Sequence, residues 1–178
     1  MREICYVARM EHIIHPLAPV FDADSRVLIL GTMPSPKSRT AGFYYAHPQN
    51  RFWRVLSAVY QEPLPESKEE KQRFVLRHGI ALWDVVKECD ITGASDASIR
   101  NPVANDIVGL ITKTQIKAIF TTGTTADRLY RVLLEKSTGM PAVRLPSPSP
   151  ANCAVSLASL VDSYRIIWQI TNVSSPCR

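Results

Sequence analysis

Three aromatic residues followed by polar ones form the stretch of this chain with the most chemical content. Phe43, Tyr44 and Tyr45 stand shortly before His47 and Asn50. Flat rings beside hydrogen-bonding groups suit a planar heterocyclic ligand, which can stack on a ring and be held along its edge. The alternative is that the rings only cover the end of a sheet. The residue types alone leave both interpretations open.

A second stretch alternates proline with serine from Pro146 to Pro150 and continues to Asn152. Serine hydroxyls can hold phosphate groups, and rigid apolar prolines can act as a wedge between stacked bases. An ordinary proline-rich turn has the same composition, so this stretch alone also leaves two interpretations open.

Most familiar catalytic and cofactor-binding patterns are absent from the sequence. Gly31 follows an apolar run but begins neither a P-loop nor a dinucleotide fingerprint. The nearest two cysteines are 24 positions apart (177 − 153), so no zinc or iron–sulfur spacing occurs. No serine–histidine–aspartate order can be assigned, and a lone Lys37 is better explained as a solvated surface residue. Hydrolysis of an activated bond needs no strong base, however, and an amide such as Asn50 can hold and polarise a water molecule.

Apolar runs alternate with amphipathic segments along the chain. The runs predict strands at 26–31, 80–86, 116–121 and 142–145. Apolar periodicity and capping residues predict helices at 50–60, 67–78, 105–112, 125–136 and 154–171. This order predicts an α/β fold, a three-layer α/β/α sandwich with a central, mostly parallel four-stranded sheet. We expect one domain over residues 1–178, with tails at about 1–14 and 173–178 and a polar loop from Glu88 to Asn101.

The predicted fold brings the two informative stretches together. The first follows the strand that ends at Gly31, and the second follows the strand that ends at Leu145. Ligands of open α/β sheets bind at the carboxyl ends of the strands. We therefore expect one site, built by the long loop between Gly31 and Asn50 and by the proline-rich loop.

Composition and charge are those of an ordinary globular protein with a basic bias. The chain has 46% hydrophobic and 21% charged residues and a net charge of +5, a modest hint of a polyanionic partner. No apolar run approaches the roughly 20 residues of a membrane span, and no signal-peptide pattern opens the chain. We expect a cytoplasmic protein (nucleoid-associated, of bacterial type), without a membrane partner, and a monomer.

Five blocks of the sequence together resemble the uracil-DNA glycosylase superfamily. The similarity covers about residues 15–172 and is greatest to the hypoxanthine (deoxyinosine) DNA glycosylase branch, with features of the mismatch-specific uracil branch. The blocks, in order, are Leu28–Ser35, Tyr44–Trp53, Ala81–Val86, Ile99–Ile107 and Leu145–Asn152. Five blocks in the right order are far more specific than either loop motif alone.

Two positions depart from the pattern of most of the superfamily. Met33 stands where most members place an Asp or Asn that orients the attacking water, and Leu145 stands where most have a His. The hypoxanthine branch resembles this chain in both respects and is thought to use the Asn of a His-Pro-x-Asn motif, which is Asn50 here.

The resemblance implies a monofunctional DNA glycosylase of base-excision repair. It would flip out and hydrolytically remove a deaminated base from damaged DNA, with hypoxanthine favoured and uracil second, and would need no metal or cofactor. Asn50 would be catalytic. The residues expected to form the base pocket are Gly31, Thr32, Met33, Pro34, Tyr44, Tyr45 and His47. Those expected to contact the DNA backbone or fill the gap left by the base are Ser35, Lys37, Ser147, Pro148, Ser149, Pro150, Ala151 and Asn152.

Three alternatives remain at this point. One is a mismatch-type uracil-DNA glycosylase. Another is a non-catalytic reader of damaged DNA, suggested by Met33 and Leu145. The third, an enzyme of free nucleosides or other small molecules, is disfavoured by the five ordered blocks.

Overall fold

The protein alternates strands and helices, as its apolar pattern predicts. A computed structural model describes residues 9–172. The strands are β1 (Met10–Ile14), β2 (Val27–Gly31), β3 (Ile80–Asp84), β4 (Val86–Thr92), β5 (Arg100–Ala104), β6 (Ala118–Thr122) and β7 (Ala142–Leu145). The helices are α1 (Pro36–Ala41), α2 (Phe52–Tyr60), α3 (Lys68–Arg77), α4 (Ile107–Ile111), α5 (Thr124–Leu133), α6 (Glu135–Thr138) and α7 (Leu157–Thr171), with a 3-10 turn at Asp96–Ser98.

Four parallel strands form the central sheet in the order β3-β2-β6-β7. Strand β2 is buried along its whole length, because four consecutive aliphatic residues can exclude water on both faces of a sheet. Its last residue, Gly31, pairs with Asp84 at the end of β3. The predicted parallel sheet is confirmed, and its register brings these two strand ends side by side.

Helices cover both faces of this sheet, which confirms the predicted three layers. Helices α2, α3 and α7 pack on one face around a core that includes Ile29, Phe52 and Tyr164. Helices α4 and α5 lie on the other face around Leu28 and Tyr130. Ser67 accepts a backbone N–H at the start of α3, as its capping pattern predicts, and Ser156 does the same at the start of α7.

A second, antiparallel sheet departs from the prediction. Its order is β1-β4-β5. It contains residues 10–14, expected in a tail, and much of the segment from Glu88 to Asn101, expected to be a polar loop. Only β4 contains fully buried residues, interspersed with more exposed ones, whereas β1 and β5 are largely exposed. Polar residues are therefore frequent in all three strands and hide the apolar signal. Residues 1–8 and 173–178, the rest of the predicted tails, lie outside the described residues.

A short helix also shortens the loop expected between Gly31 and Asn50. Helix α1 begins after Ser35, whose hydroxyl accepts the N–H of Ser38 at 3.2 Å. It ends at Gly42, which adopts the left-handed conformation that glycine tolerates. Six residues give too little periodicity for the helix to be recognised from the sequence.

Between residues 9 and 172, none of the helices is both long enough and apolar enough to span a lipid bilayer.

Candidate functional site

A cleft of about 800 Å³ opens at the carboxyl ends of the parallel strands. The last residues of all four strands line it: Gly31, Asp84, Thr122 and Leu145. This is the edge at which open α/β sheets bind ligands, and the volume is within the usual range of small-molecule pockets. The two loops singled out by the sequence form its walls.

Most of the predicted site residues line this cleft. They are Gly31, Thr32, Met33, Pro34, Ser35, Tyr44, Tyr45, Asn50, Ser147, Pro148, Ser149, Ala151 and Asn152. Three predicted residues, Lys37, His47 and Pro150, are not part of the lining. Lys37 is exposed on α1, and the Nδ1 atom of His47 accepts the N–H of Gln49 at 3.1 Å within a turn.

Tyr45 presents a fixed aromatic wall to the cleft. One face of its ring stacks on Phe52, with centroids 3.8 Å apart and planes 13° apart. Its hydroxyl lies 3.3 Å from the Thr122 hydroxyl, which itself donates to the carbonyl of Leu30. Burial, aided by nearby Asp84, raises the pKa of Tyr45 well above its ordinary range. The phenol therefore stays protonated, and one face of its ring is fixed against Phe52.

The neighbouring rings of Phe43 and Tyr44 belong to the core. Both are buried, and Phe43 packs parallel to Trp53 with ring centroids 6.0 Å apart. The Tyr44 hydroxyl donates to the carbonyl of Ala18 at 3.0 Å. Both rings therefore help to close the sheet end, although Tyr44 also lines the cleft, and its expected role in the base pocket stays a prediction. Tyr45 remains as the ring available for stacking.

Asn50 lies in the cleft directly before helix α2. Its Oδ1 atom accepts the N–H of Phe52 at 2.9 Å, and its own N–H donates to the carbonyl of His47 at 2.8 Å. Among residues 9–172, no group accepts a hydrogen bond from its side-chain Nδ2. The hydrogen bond to Oδ1 thus orients the side-chain amide, and Nδ2 keeps its donor capacity for a ligand in the cleft.

The two positions that depart from most of the superfamily are buried and apolar. Met33 is 8% exposed and packs in the core cluster beside α5, although part of it reaches the cleft. Leu145 is 3% exposed at the end of β7. Neither side chain can activate a water molecule, so any polar chemistry must come from other residues.

Arg51 joins the two loops that form the cleft walls. Its guanidinium donates to the carbonyls of Ser149 at 3.1 Å and Asn152 at 2.8 Å, and also to that of Val155. Its backbone N–H donates to the carbonyl of Pro148 at 3.0 Å. The residue next to Asn50 therefore holds the proline-rich loop in place, a role that the sequence does not indicate.

The proline-rich loop is further stabilised by its own side chains. Ser147 and Ser149 each accept a backbone N–H two residues later, at 3.3 Å. The side-chain amide of Asn152 donates to the carbonyl of Ser147 at 2.9 Å. Pro148 is buried, whereas Ala151 is exposed. Pro150 with Ala151 therefore forms the more accessible part of the loop, and the expectation that the segment from Pro148 to Ala151 fills the space of a flipped base stays a prediction.

A buried histidine–aspartate contact at the base of the cleft escaped the sequence analysis. The Nε2 atom of His15 lies 2.8 Å from Oδ2 of Asp84, and both side chains are almost fully buried. Asp84 could have been noticed as a carboxylate that ends an apolar run. His15 gives no such signal, because it stands 69 positions away in a segment without clear periodicity.

Charged groups of both signs line the cleft. Arg144 is exposed at its rim and Asp84 is buried, whereas Arg39 and Asp96 are both partly buried. Burial raises the pKa of Asp96, an effect increased by Asp84 and opposed by the Thr32 hydroxyl. Positive charge at the rim suits a polyanion, and acidic groups within the cleft suit the donor edge of a ligand. Asp96 was also missed, because it stands in a segment predicted to be an unstructured loop.

Among the described residues, no cluster of histidine, cysteine or acidic side chains has the arrangement of a metal site. Cys89 is a buried free thiol and Cys153 an exposed one.

Comparison with known proteins finds relatives of similar sequence and a solved structure of similar fold. A protein of Methanosarcina acetivorans named hypoxanthine DNA glycosylase is 36% identical over 135 residues, which is 75% of this chain and 84% of the relative. A protein of the same name from Methanosarcina barkeri is 36% identical over 88 residues, 49% of this chain and 56% of that protein. A solution NMR structure from M. acetivorans, provisionally described as a uracil DNA glycosylase, has a TM-score of 0.72 and 29% identity, covering 85% of this chain and 96% of that one.

The family assignment rests on most of the chain. The family model described as "Uracil DNA glycosylase superfamily" matches residues 18–169, a range that contains the parallel sheet and both cleft loops. The resemblance found in the sequence is thereby confirmed: this chain belongs to the uracil DNA glycosylase superfamily.

Proposed function

We propose that this protein is a monofunctional DNA glycosylase that removes a deaminated base, hypoxanthine in preference to uracil. The superfamily supports a DNA substrate, and the names of the two Methanosarcina relatives favour hypoxanthine. The N-glycosidic bond breaks and its electron pair leaves with the base. A water oxygen then bonds to C1′ of the sugar, and the proton released from that water goes to the departing base.

One observation carries the proposal. Tyr45, an aromatic ring that stacks on Phe52, and Asn50, an oriented amide, line the same cleft at the carboxyl ends of the strands. A target base cannot be reached within a duplex, so it must be flipped into such a pocket. The free face of Tyr45 then stacks on the base, and stacking of this kind contributes about 1–3 kcal/mol per base.

Asn50 is the residue we assign to catalysis. Its Oδ1 atom is held by the N–H of Phe52, so the amide plane does not need to reorganise when substrate binds. The second lone pair of this oxygen can accept from water, and Nδ2 can donate to the base or the sugar. Preorganised groups of this sort commonly supply a large part of catalysis, because they are already aligned with the developing charge.

The rim and the proline-rich loop are proposed to hold the DNA. Arg39 and Arg144 provide positive charge beside the opening. Ser147 and Ser149 contact phosphates with the hydrogen-bonding capacity that their turns leave free. The accessible Pro150–Ala151 segment enters the space left by the flipped base.

The test is base release from matched duplexes that carry one deoxyinosine, one deoxyuridine or neither. We expect hypoxanthine release from the wild-type protein and its loss in Asn50→Ala, with binding to the same duplex retained. Asn50→Asp is the matched variant, because a carboxylate oxygen can still accept the N–H of Phe52 but no Nδ2 donor remains. Turnover unchanged in both variants would contradict the role of Asn50.

A second candidate, a non-catalytic reader of damaged DNA, is favoured by the apolar Met33 and Leu145. It predicts tight binding to the lesion duplex with no release of base by the wild-type protein. Uracil release without hypoxanthine release would instead indicate a mismatch-type uracil glycosylase.

A further inference from the structure

Arg39 brings a cation with mostly unused hydrogen-bond donors into the cleft. Its side chain is half-buried and belongs to the cleft lining. One guanidinium nitrogen, Nη1, donates to the carbonyl of Pro34 at 3.2 Å. Within residues 9–172 this is the only hydrogen bond of its side chain, and no carboxylate forms an ion pair with it. Because a guanidinium has five N–H donors and no acceptor, most of its donors remain for a ligand.

The fold directs this guanidinium towards the inside of the cleft. Side chains of a helix lean towards the helix N-terminus, and α1 follows directly on the turn from Gly31 to Ser35, whose residues line the cleft. Arg39 stands in the second half of α1, so its guanidinium reaches back over this turn to the buried Pro34. It therefore differs from Arg144, the other arginine of the cleft lining, which is exposed at the rim.

Arg39 and the stacking ring of Tyr45 are held in one structural unit. The buried Ser38 hydroxyl accepts the N–H of Ala46 at 3.2 Å and a hydrogen bond from the Ser35 hydroxyl at 3.1 Å. These bonds tie α1 to the residue that follows Tyr45. Tyr45 itself has a φ of 53°, a left-handed conformation that is uncommon for residues other than glycine and that sets the direction of its ring. A base stacked on this ring therefore presents its edge in the cleft that the guanidinium lines.

The candidate bases differ in what they offer to a group that only donates. Hypoxanthine presents O6 and N7 side by side, two acceptors that match the fork of an arginine, as in the common contact of arginine with guanine. In uracil, O2 and O4 are separated by N3–H, so a fork can reach only one of them. Adenine places an amino group, which is a donor, beside N7. Sites of this kind discriminate well, because a mismatched polar group is left unpaired.

We propose that Arg39 selects hypoxanthine over uracil and adenine by donating a forked pair of hydrogen bonds to O6 and N7 of the flipped base. The proposal rests on the proposed glycosylase function and names a group that sets its substrate. When the bond between C1′ and N9 breaks, its electron pair spreads over the purine to N7 and O6, and the same hydrogen bonds stabilise this charge. Guanine offers the same two acceptors, so its exclusion must come from the space around its 2-amino group.

The first test compares single-turnover excision of hypoxanthine and uracil from matched duplexes by the wild-type protein and by Arg39→Gln. We expect the ratio of the two rates to fall by about 10- to 100-fold in the variant, as for a lost hydrogen bond to a charged group. Arg39→Lys should give an intermediate ratio, since an ammonium group cannot form the fork. The ratio is taken within one protein preparation, so partial unfolding does not change it. An unchanged ratio would overturn the role of Arg39 in base selection.

Arg144→Gln is the matched control, because it removes the same charge from the exposed rim of the same cleft. It should weaken binding of both duplexes alike and leave the ratio of rates unchanged. If Arg39 instead contacts a DNA phosphate, Arg39→Gln will behave in the same way. Both rates will then fall together, and the salt dependence of binding will decrease by about one phosphate contact. That result would also overturn the proposal.

A second test isolates the contact with N7 and does not depend on turnover. The excision-resistant nucleoside 2′-fluoro-2′-deoxyinosine and its 7-deaza analogue, in which a C–H replaces N7, are placed in the same duplex, and the Kd is measured for each. The wild-type protein should bind the inosine duplex about tenfold more tightly, whereas Arg39→Gln should bind the two duplexes equally. Equal binding by the wild-type protein would overturn the contact with N7.

The outcomes separate this inference from the function on which it rests. Release of neither base by the wild-type protein, with its preference for 2′-fluoro-2′-deoxyinosine intact, would reject the glycosylase function and support Arg39 as the group that reads hypoxanthine in a DNA-binding protein. Hypoxanthine release with unchanged preferences in Arg39→Gln would leave the glycosylase function standing and overturn the role of Arg39.

Discussion

Arg51 offers the most direct test of how the two cleft walls work together. Its guanidinium makes three well-formed hydrogen bonds to loop carbonyls, those of Ser149, Asn152 and Val155. A fourth contact, from Nε to Pro148, is 3.5 Å long and contributes little. The loop that these bonds hold has no regular secondary structure from Pro146 to Ser156. Arg51→Ala should therefore release the accessible Pro150–Ala151 segment without unfolding the domain.

The size of the effect follows from those three bonds. Arg51 is partly exposed, and the released carbonyls can bind water, so each bond is worth about 1 kcal/mol rather than the larger value of a fully buried charged pair. In Arg51→Ala these bonds are missing, so ordering the loop against DNA should cost about 3 kcal/mol more than in the wild-type protein. At about 1.4 kcal/mol for each tenfold change in rate, kcat/KM should fall by roughly 100-fold.

The assay is single-turnover excision of hypoxanthine, with a 2-aminopurine next to the lesion to report base flipping. Arg54→Ala is the matched control, because Arg54 is an exposed arginine on the same helix and its loss removes the same charge. Arg51→Lys should give an intermediate rate, since an ammonium group cannot reach three carbonyls in a fixed fork. The reasoning is refuted if Arg51→Ala and Arg54→Ala reduce flipping and excision equally.

Two further predictions concern Tyr45 and Asp96. Tyr45→Phe keeps the ring and loses only the contact with Thr122, so we expect less than a tenfold loss of excision. Tyr45→Ala should lose about 1–3 kcal/mol of base stacking. Equal kinetics of the two variants would exclude a stacking role. Burial raises the pKa of Asp96, so its contribution to the free energy of unfolding is fully present below the unfolded pKa and is lost as the pH rises through the native pKa. Asp96→Asn cannot ionise, and thermal melting should show its gain in stability over the wild type increasing from about pH 4 towards pH 7; a gain that is constant with pH would contradict this.

Local sequence patterns determined the central part of the fold. A run of aliphatic residues predicts strand β2, and apolar residues at helical spacing predict helix α2. Both patterns lie within a few neighbouring residues of the chain. The antiparallel sheet was missed, because β1 and β4 pair across about 80 positions in the chain, β1 is largely exposed, and β4 mixes buried with exposed residues. Pairing at that distance leaves no periodic trace in either segment.

The sequence by itself determined which residue types could do chemistry, and the tertiary structure decided which of them meet. Tyr45 and Asn50 were identified from their types and spacing, and the family resemblance added the order of the sequence blocks in which they stand. The structure alone separates Tyr45 from the buried Tyr44, and it alone brings His15 to Asp84 and Arg51 to the proline-rich loop. The physical reason is that burial and hydrogen bonding of polar side chains depend on strand register and loop packing. Both are set by contacts between segments far apart in the chain.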